Sequence, residues 1–149
     1  MTPTIIKADI EDVETIAPMF DAYRIFYEQE TDITGATNFL SDRLTKNESV
    51  IFIAFINDAA VGFTQLYPIF SSVSLRTTWL LNDLYVAENA RQQGVASALL
   101  NQAKLFGVEN NAKWLLLETA FDNYPAQSVY EKNGWIKQTD FFYQLPLGT

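Results

Sequence analysis

The stretch from Leu80 to Ser97 constrains this chain more than any other. Leu80-Leu81-Asn82-Asp83-Leu84-Tyr85-Val86 is an apolar, aromatic run of strand length, and Arg91-Gln92-Gln93-Gly94-Val95-Ala96-Ser97 follows it closely. The order predicts a strand, a short turn, then a small-residue loop that opens directly into a helix. Glycine at that junction frees the backbone and lets a ligand approach it closely. The first-turn N–H groups of a helix have no internal partner and sit at the positive end of its dipole. A helix start of this kind is a ready anion site, suited above all to phosphate.

The remaining segments supply the rest of an α/β domain. Ile5–Ala8 is a short strand candidate. From Asp12 to Glu28, Val13, Ile16, Met19 or Phe20, Tyr23 and Tyr27 recur at helical spacing, interrupted by Pro18. Thr31–Thr37 reads as a turn around Gly35, and a second helix is predicted over Asn38–Leu44. Ser49–Ile56 is β-branched and aromatic, hence a strand, and Asn57-Asp58 turns it into a hairpin with Val61–Tyr67. Pro68–Ser72 reads as an irregular link. Trp79–Val86 and Trp114–Thr119 are nearly continuous apolar runs, predicting strands buried on both faces. Joined by the Gly94–Gly107 helix, these two strands should run parallel. Pro125 suits the first turn of a last helix and Gly134 its left-handed exit. Ile136–Leu145 supplies a closing strand or pair of strands. No repeat, linker or low-complexity tract interrupts the pattern, so one α/β domain is expected.

Composition narrows the chemistry. The 149 residues, 48% of them hydrophobic, make one domain with room for a substantial core. No cysteine is present, which excludes disulfides, zinc–thiolate sites and a thiol nucleophile. No histidine is present either, which removes the commonest general base and metal ligand, so no metal site is expected. The formal charge of −8 disfavours nucleic acid and anionic membranes as partners. With no apolar run of about 20 residues and no basic, apolar leader, a cytoplasmic protein is expected.

Arg91-Gln92-Gln93-Gly94-Val95-Ala96 matches the pattern Arg/Gln-x-x-Gly-x-Gly/Ala of the GCN5-related N-acetyltransferases (GNAT). Asn123 and the run Ala126-Gln127-Ser128-Val129-Tyr130-Glu131-Lys132-Asn133-Gly134-Trp135 resemble that family's second motif: an asparagine, a helix carrying tyrosine, then glycine and an aromatic residue. Order and spacing agree from about Ile5 to Tyr143. The resemblance implies a single GNAT domain over residues 1–149. Its sheet would be mixed and twisted, with antiparallel N-terminal strands, a splayed parallel pair and flanking helices. It also implies acetyl-CoA as donor and a primary amine of a small molecule or peptide as acceptor, attacked directly in a ternary complex. A non-catalytic acyl-CoA-binding or sensing module on the same fold is the alternative.

The same resemblance distributes roles along the chain. Arg91, Gln92, Gln93, Gly94, Val95, Ala96 and Ser97 would wrap the pyrophosphate. Leu84, Tyr85 and Val86 would offer main-chain groups to the pantetheine arm and the acetyl carbonyl. Asn123 would contact the cofactor, cap the last helix, or do both. Tyr130 would protonate the leaving sulfur, since a phenol with pKa about 10 remains a donor at neutral pH.

Leu81–Val86 looks like the diamine (spermidine/spermine) acetyltransferase branch, but Asn82 stands where that branch carries the acidic residue that helps deprotonate the amine. An amide is no base, so water relayed by Asn82, or by Glu118 on the neighbouring strand, is the proposed proton route. Strand alternation places Asn82, Leu84 and Val86 on one face and Asp83 and Tyr85 on the other. Tyr23, Tyr27, Tyr67 and Phe70, with Asp83, are candidates to line the acceptor side. Phe141-Phe142-Tyr143 would serve as an ordinary sheet strand or pair with a second copy in a homodimer.

Overall fold

The computed structural model describes residues 2–148, and its contacts divide the chain between Glu118 and Thr119 into two compact units. The first unit carries the sheet. Its elements are β1 (Thr4–Lys7), α1 (Val13–Phe26), α2 (Ile33–Thr45), β2 (Val50–Ile56), β3 (Ala59–Ser71), β4 (Arg76–Val86), α3 (Val95–Glu109) and β5 (Leu115–Leu116). Sheet order follows chain order, with β1 to β4 antiparallel and β5 parallel to β4. This is the mixed α/β sheet that the sequence predicts.

Alternation along the central strands sorts the core into two layers. Ile51, Ile53 and Phe63 join Ile16, Phe20 and Leu40 of α1 and α2 on one face. Phe52 points the other way, its ring 5.8 Å from Phe106 of α3, which also meets Trp79 at 4.9 Å. Val95, Leu99, Leu100 and Ala103 fill the rest of the α3 layer's buried positions. Gly62 of β3 is where this layer closes tightest. A Cβ there would lie 2.7 Å from the Tyr85 carbonyl oxygen and 3.2 Å from Val95 Cγ1. Gly62→Val should therefore destabilise the chain by about 1–3 kcal/mol, read as a lower denaturant midpoint.

Several elements differ from the sequence expectation. The α2 helix begins well before Asn38, because the Asp32 carboxylate accepts from the Gly35 N–H (2.9 Å) and caps it. Gly35 is thus a first-turn residue rather than a loop centre, and a Cβ there would collide with the Asp32 carboxylate. Pro18 lies inside α1 without ending it. Pro68 lies within β3, paired with Trp79, so the expected irregular link is strand as far as Ser71.

The second unit contains α4 (Tyr124–Lys132), with Pro125 in its first turn and Gly134 at φ +90 beyond its end. The expected closing strand over Ile136–Leu145 is absent. Those residues are neither helix nor strand, and Phe141, Phe142 and Tyr143 are exposed. Their aromatic and β-branched residues supply strand propensity, but a strand needs a hydrogen-bonding neighbour, and no ladder among the described residues includes them.

Candidate active site

The site begins with a fault in the β3–β4 ladder. Gln65 pairs with Asp83 and Leu66 with Leu81, leaving Asn82 as an extra residue in β4. This is a β-bulge, which re-aims the side chains beside it. Simple alternation would put Asn82 and Asp83 on opposite faces; instead both line one cavity. The bulge is tied at three points. Tyr23 Oη of α1 donates to the Asn82 carbonyl (3.2 Å), Thr64 Oγ1 donates to the Asp83 carbonyl (2.7 Å), and Asn82 Nδ2 donates to Asp83 Oδ1 (2.9 Å).

Asp83 is the chemical centre of that cavity. Its residue is only 4% exposed, and Gln65 Nε2, fully buried in β3, donates to its Oδ2 at 2.6 Å. Burial raises the Asp83 pKa above the ordinary carboxylate range, while hydrogen bonds from Gln65, Asn82 and Tyr23 pull it partly back. Burial also raises Tyr23 and Tyr67, helped in both by the Asp83 charge, so the two phenols stay protonated. The cavity is about 400 Å³, with Phe20, Tyr23, Phe39 and Tyr67 as aromatic walls, and Arg24, Asp32, Asn82 and Asp83 among its polar lining. Its size is that of a small-molecule site.

Beyond the bulge, β4 presents an open edge. The β4–β5 ladder stops at Leu80↔Leu116. Ala87 N–H donates to the Val61 carbonyl across the β3 side (2.7 Å), so by alternation Tyr85 faces β3 and the main-chain groups of Leu84 and Val86 face away from it. Among the described residues no strand pairs with that side. Arg91 Nε donates to the Val86 carbonyl (3.2 Å), which holds the loop back against the strand.

That loop leads to the start of α3. Gly94 is its N-cap at φ +80, Gln92 is also left-handed at φ +61, and a Cβ at Gly94 would meet nothing within 4 Å. No side chain caps the helix. The N–H groups of Val95 and Ala96 open the first turn beside this glycine, at the positive end of the helix dipole. Gln93 is turned back to the Asn89 carbonyl (3.2 Å).

In the second unit, Asn123 Oδ1 accepts from Ala126 N–H (3.3 Å), so Asn123 caps α4. Tyr130 is half-buried on α4, its ring 6.4 Å from Trp135. Three candidates for the acceptor side or the proton relay do not line the cavity. Tyr27 ends α1, exposed, with its ring 5.0 Å from that of Tyr23. Phe70 lies exposed at the far end of β3, and Glu118 is exposed past the end of β5. Gln65, Arg24, Phe20 and Phe39 escape sequence reasoning. Gln65 sits in an apolar strand run, and only its register opposite Asp83 gives it a role.

The sequence pattern of the acetyltransferase (GNAT) family matches residues 16–135. An uncharacterized N-acetyltransferase of Bacillus subtilis (strain 168) is 47% identical over 139 residues, covering 93% of each chain. A probable acetyltransferase of Haemophilus influenzae is 36% identical over 132 residues, covering 88% of each. The crystal structure of a probable acetyltransferase superposes with a TM-score of 0.93 at 42% identity, covering 98% of this chain and 99% of that one. This chain belongs to the GNAT family of N-acetyltransferases, enzymes that draw their acetyl group from acetyl-CoA.

Proposed function

We propose that the chain transfers the acetyl group to a primary amine of a small molecule or peptide by direct attack, with Asp83 as the proton acceptor. The observation that carries this reading is a buried carboxyl, clamped by Gln65 and Asn82, at the wall of an aromatic cavity. The open edge of β4 and the glycine-capped start of α3 fit a donor with an amide-bearing arm and a diphosphate. Bound acetyl-CoA supplies the thioester carbonyl and the thiol leaving group.

Each requirement of the transfer then has a group assigned to it. An aliphatic amine, with pKa near 10.4, arrives protonated and must lose a proton before it can attack. A carboxylate whose pKa is lifted by burial is a stronger base than an exposed one and is better matched to neutral pH. Asn82, assigned above as relay, orients Asp83 through its 2.9 Å hydrogen bond and can carry a water between carboxylate and amine. The main-chain groups of Leu84 and Val86, on the open edge, align the arm and polarise the carbonyl; those of Tyr85, expected to join them, face β3 instead. Gln92 to Ser97 hold the diphosphate with main-chain donors, with Arg91 adjoining and Asn123 toward the arm. Positioning both reactants in one site removes the need for a covalent enzyme intermediate. Tyr67 lines the amine's approach, with Tyr27 behind Tyr23. The family's diamine branch is a weaker match, because Asn82 replaces its first acidic residue and Glu118 stands off the cavity.

Tyr130 is assigned the proton for the departing sulfur, from its place in the second motif. A thiolate with ordinary pKa near 8.5 leaves with modest help, so Tyr130→Phe should lower kcat by about 10- to 100-fold and leave the dissociation constant for acetyl-CoA intact. The reading as a whole is tested by calorimetric titration with acetyl-CoA and by thiol release over a panel of primary amines. Saturable binding with amine-dependent thiol release is expected. Binding without turnover on any amine would remove the catalytic reading.

A further inference from the structure

Resting on that acyl-transfer reading, we propose that the acceptor is zwitterionic, an amine carrying a carboxylate on a largely apolar body, as in an amino acid, with Arg24 receiving the carboxylate. Charged groups of both signs from different elements line one cavity: Asp83 of β4 and Arg24 of α1, with Asp32, the cap of α2, beside them. Asp83 is the group matched to an ammonium. Arg24 is half-buried, and among the described residues its guanidinium makes one hydrogen bond, from Nη1 to the Glu30 carbonyl at 3.3 Å, long for a charged donor. The planar guanidinium has five donors in a fork shaped for a carboxylate.

The carboxylates near Arg24 are otherwise engaged. Asp21 accepts from Asp32 N–H (2.7 Å) and Thr31 Oγ1 (2.6 Å), which fixes the link between α1 and α2 and, with a smaller contribution from the Arg24 charge, lowers the Asp21 pKa. Asp32 caps α2 through Gly35. Among the described residues no carboxylate lies within 4.0 Å of Arg24, whereas Arg43 on α2 is paired with Glu48 (2.9 Å) and stacked on Phe39. Arg24 is thus the cation of this cavity without a salt bridge among the described residues, its charge reaching Asp21 only at longer range. An acceptor with a second positive end would meet that cation, and a plain amine would leave it unmatched. An apolar body between the two charges would lie against Phe20, Phe39 and Tyr67.

The test is thiol release with matched acceptors at fixed acetyl-CoA: L-phenylalanine against phenethylamine, L-methionine against 3-(methylthio)propylamine, and L-lysine against cadaverine, with spermidine as a polycation. The expected result is a kcat/KM about tenfold or more higher for each amino acid than for its decarboxylated partner, carried by KM, as for one charge-assisted hydrogen-bonded pair. Arg24→Gln should bring that ratio close to one, and Arg24→Lys should restore part of it. Wild-type preference for the decarboxylated amines or for spermidine would overturn the proposal. So would an Arg24→Gln enzyme that keeps the wild-type ratio. Turnover without a carboxylate preference defeats the zwitterion alone, whereas no turnover on any amine defeats the acyl-transfer reading beneath it.

Discussion

Asp83→Asn is expected to lower kcat/KM by about 10²- to 10⁴-fold, the range for losing a positioned general base, without lowering the stability of the fold at neutral pH. The two halves of this expectation have one cause. Burial lifts the Asp83 pKa in the folded chain above its unfolded value of roughly 3.9. The folded state therefore binds this proton more tightly than the unfolded state does. That contribution to stability is fully present below the unfolded pKa and is lost as pH rises through the folded value. Above that value the wild type holds a desolvated charge, which asparagine does not carry while still accepting from Gln65. The melting temperature of the variant should gain on the wild type across this window and then stay level. In the pH–rate profile the acid limb set by Asp83 should vanish, leaving slow, pH-flat turnover on that side. Thiol-release kinetics and thermal melts over the same pH series measure both. Wild-type turnover with its acid limb in place would exclude Asp83 from the proton route.

Gly94→Asp is the second large effect. At φ +80 glycine is the natural residue, but aspartate tolerates the left-handed region better than most and is a favourable helix N-cap. A Cβ there meets nothing within 4 Å. The same carboxylate stands at the first-turn donors of α3, where it competes with a diphosphate for the N–H groups and repels its charge. Acetyl-CoA should bind about 100-fold or more weakly, a loss near 3 kcal/mol. The melting temperature should fall by only a few degrees, the cost of about 1 kcal/mol for a non-glycine residue at φ +80. Calorimetry with acetyl-CoA beside a thermal melt separates the two quantities, and unaltered affinity would move the diphosphate elsewhere.

The helix start at Gly94 was legible because its signal is local. A lone glycine between a strand and an amphipathic helix restricts the backbone whatever packs around it. The antiparallel strands and the cap at Asn123 were legible for the same reason, each resting on short-range periodicity or turn chemistry. The parallel direction of β5 was legible from its crossover helix, but the buried strand expected over Trp114–Thr119 is only the half-buried Leu115–Leu116, with Trp114 exposed. The early start of α2 was not, since Gly35 reads as a turn until the Asp32 carboxylate is seen to cap the segment. The closing strand over Ile136–Leu145 shows the converse, propensity without a partner edge.

The sequence alone determined the α/β class, the glycine-capped start of α3 and, through two spaced motifs, the family, because each is written in residues adjacent along the chain. Only the tertiary structure decided that Asn82 is a bulge, that Asp83 lines a cavity with Tyr23 and Arg24 of α1, and that Gln65 donates to its carboxyl. These depend on register between strands, where one extra residue reverses every face beyond it. No periodicity within a single segment carries that information.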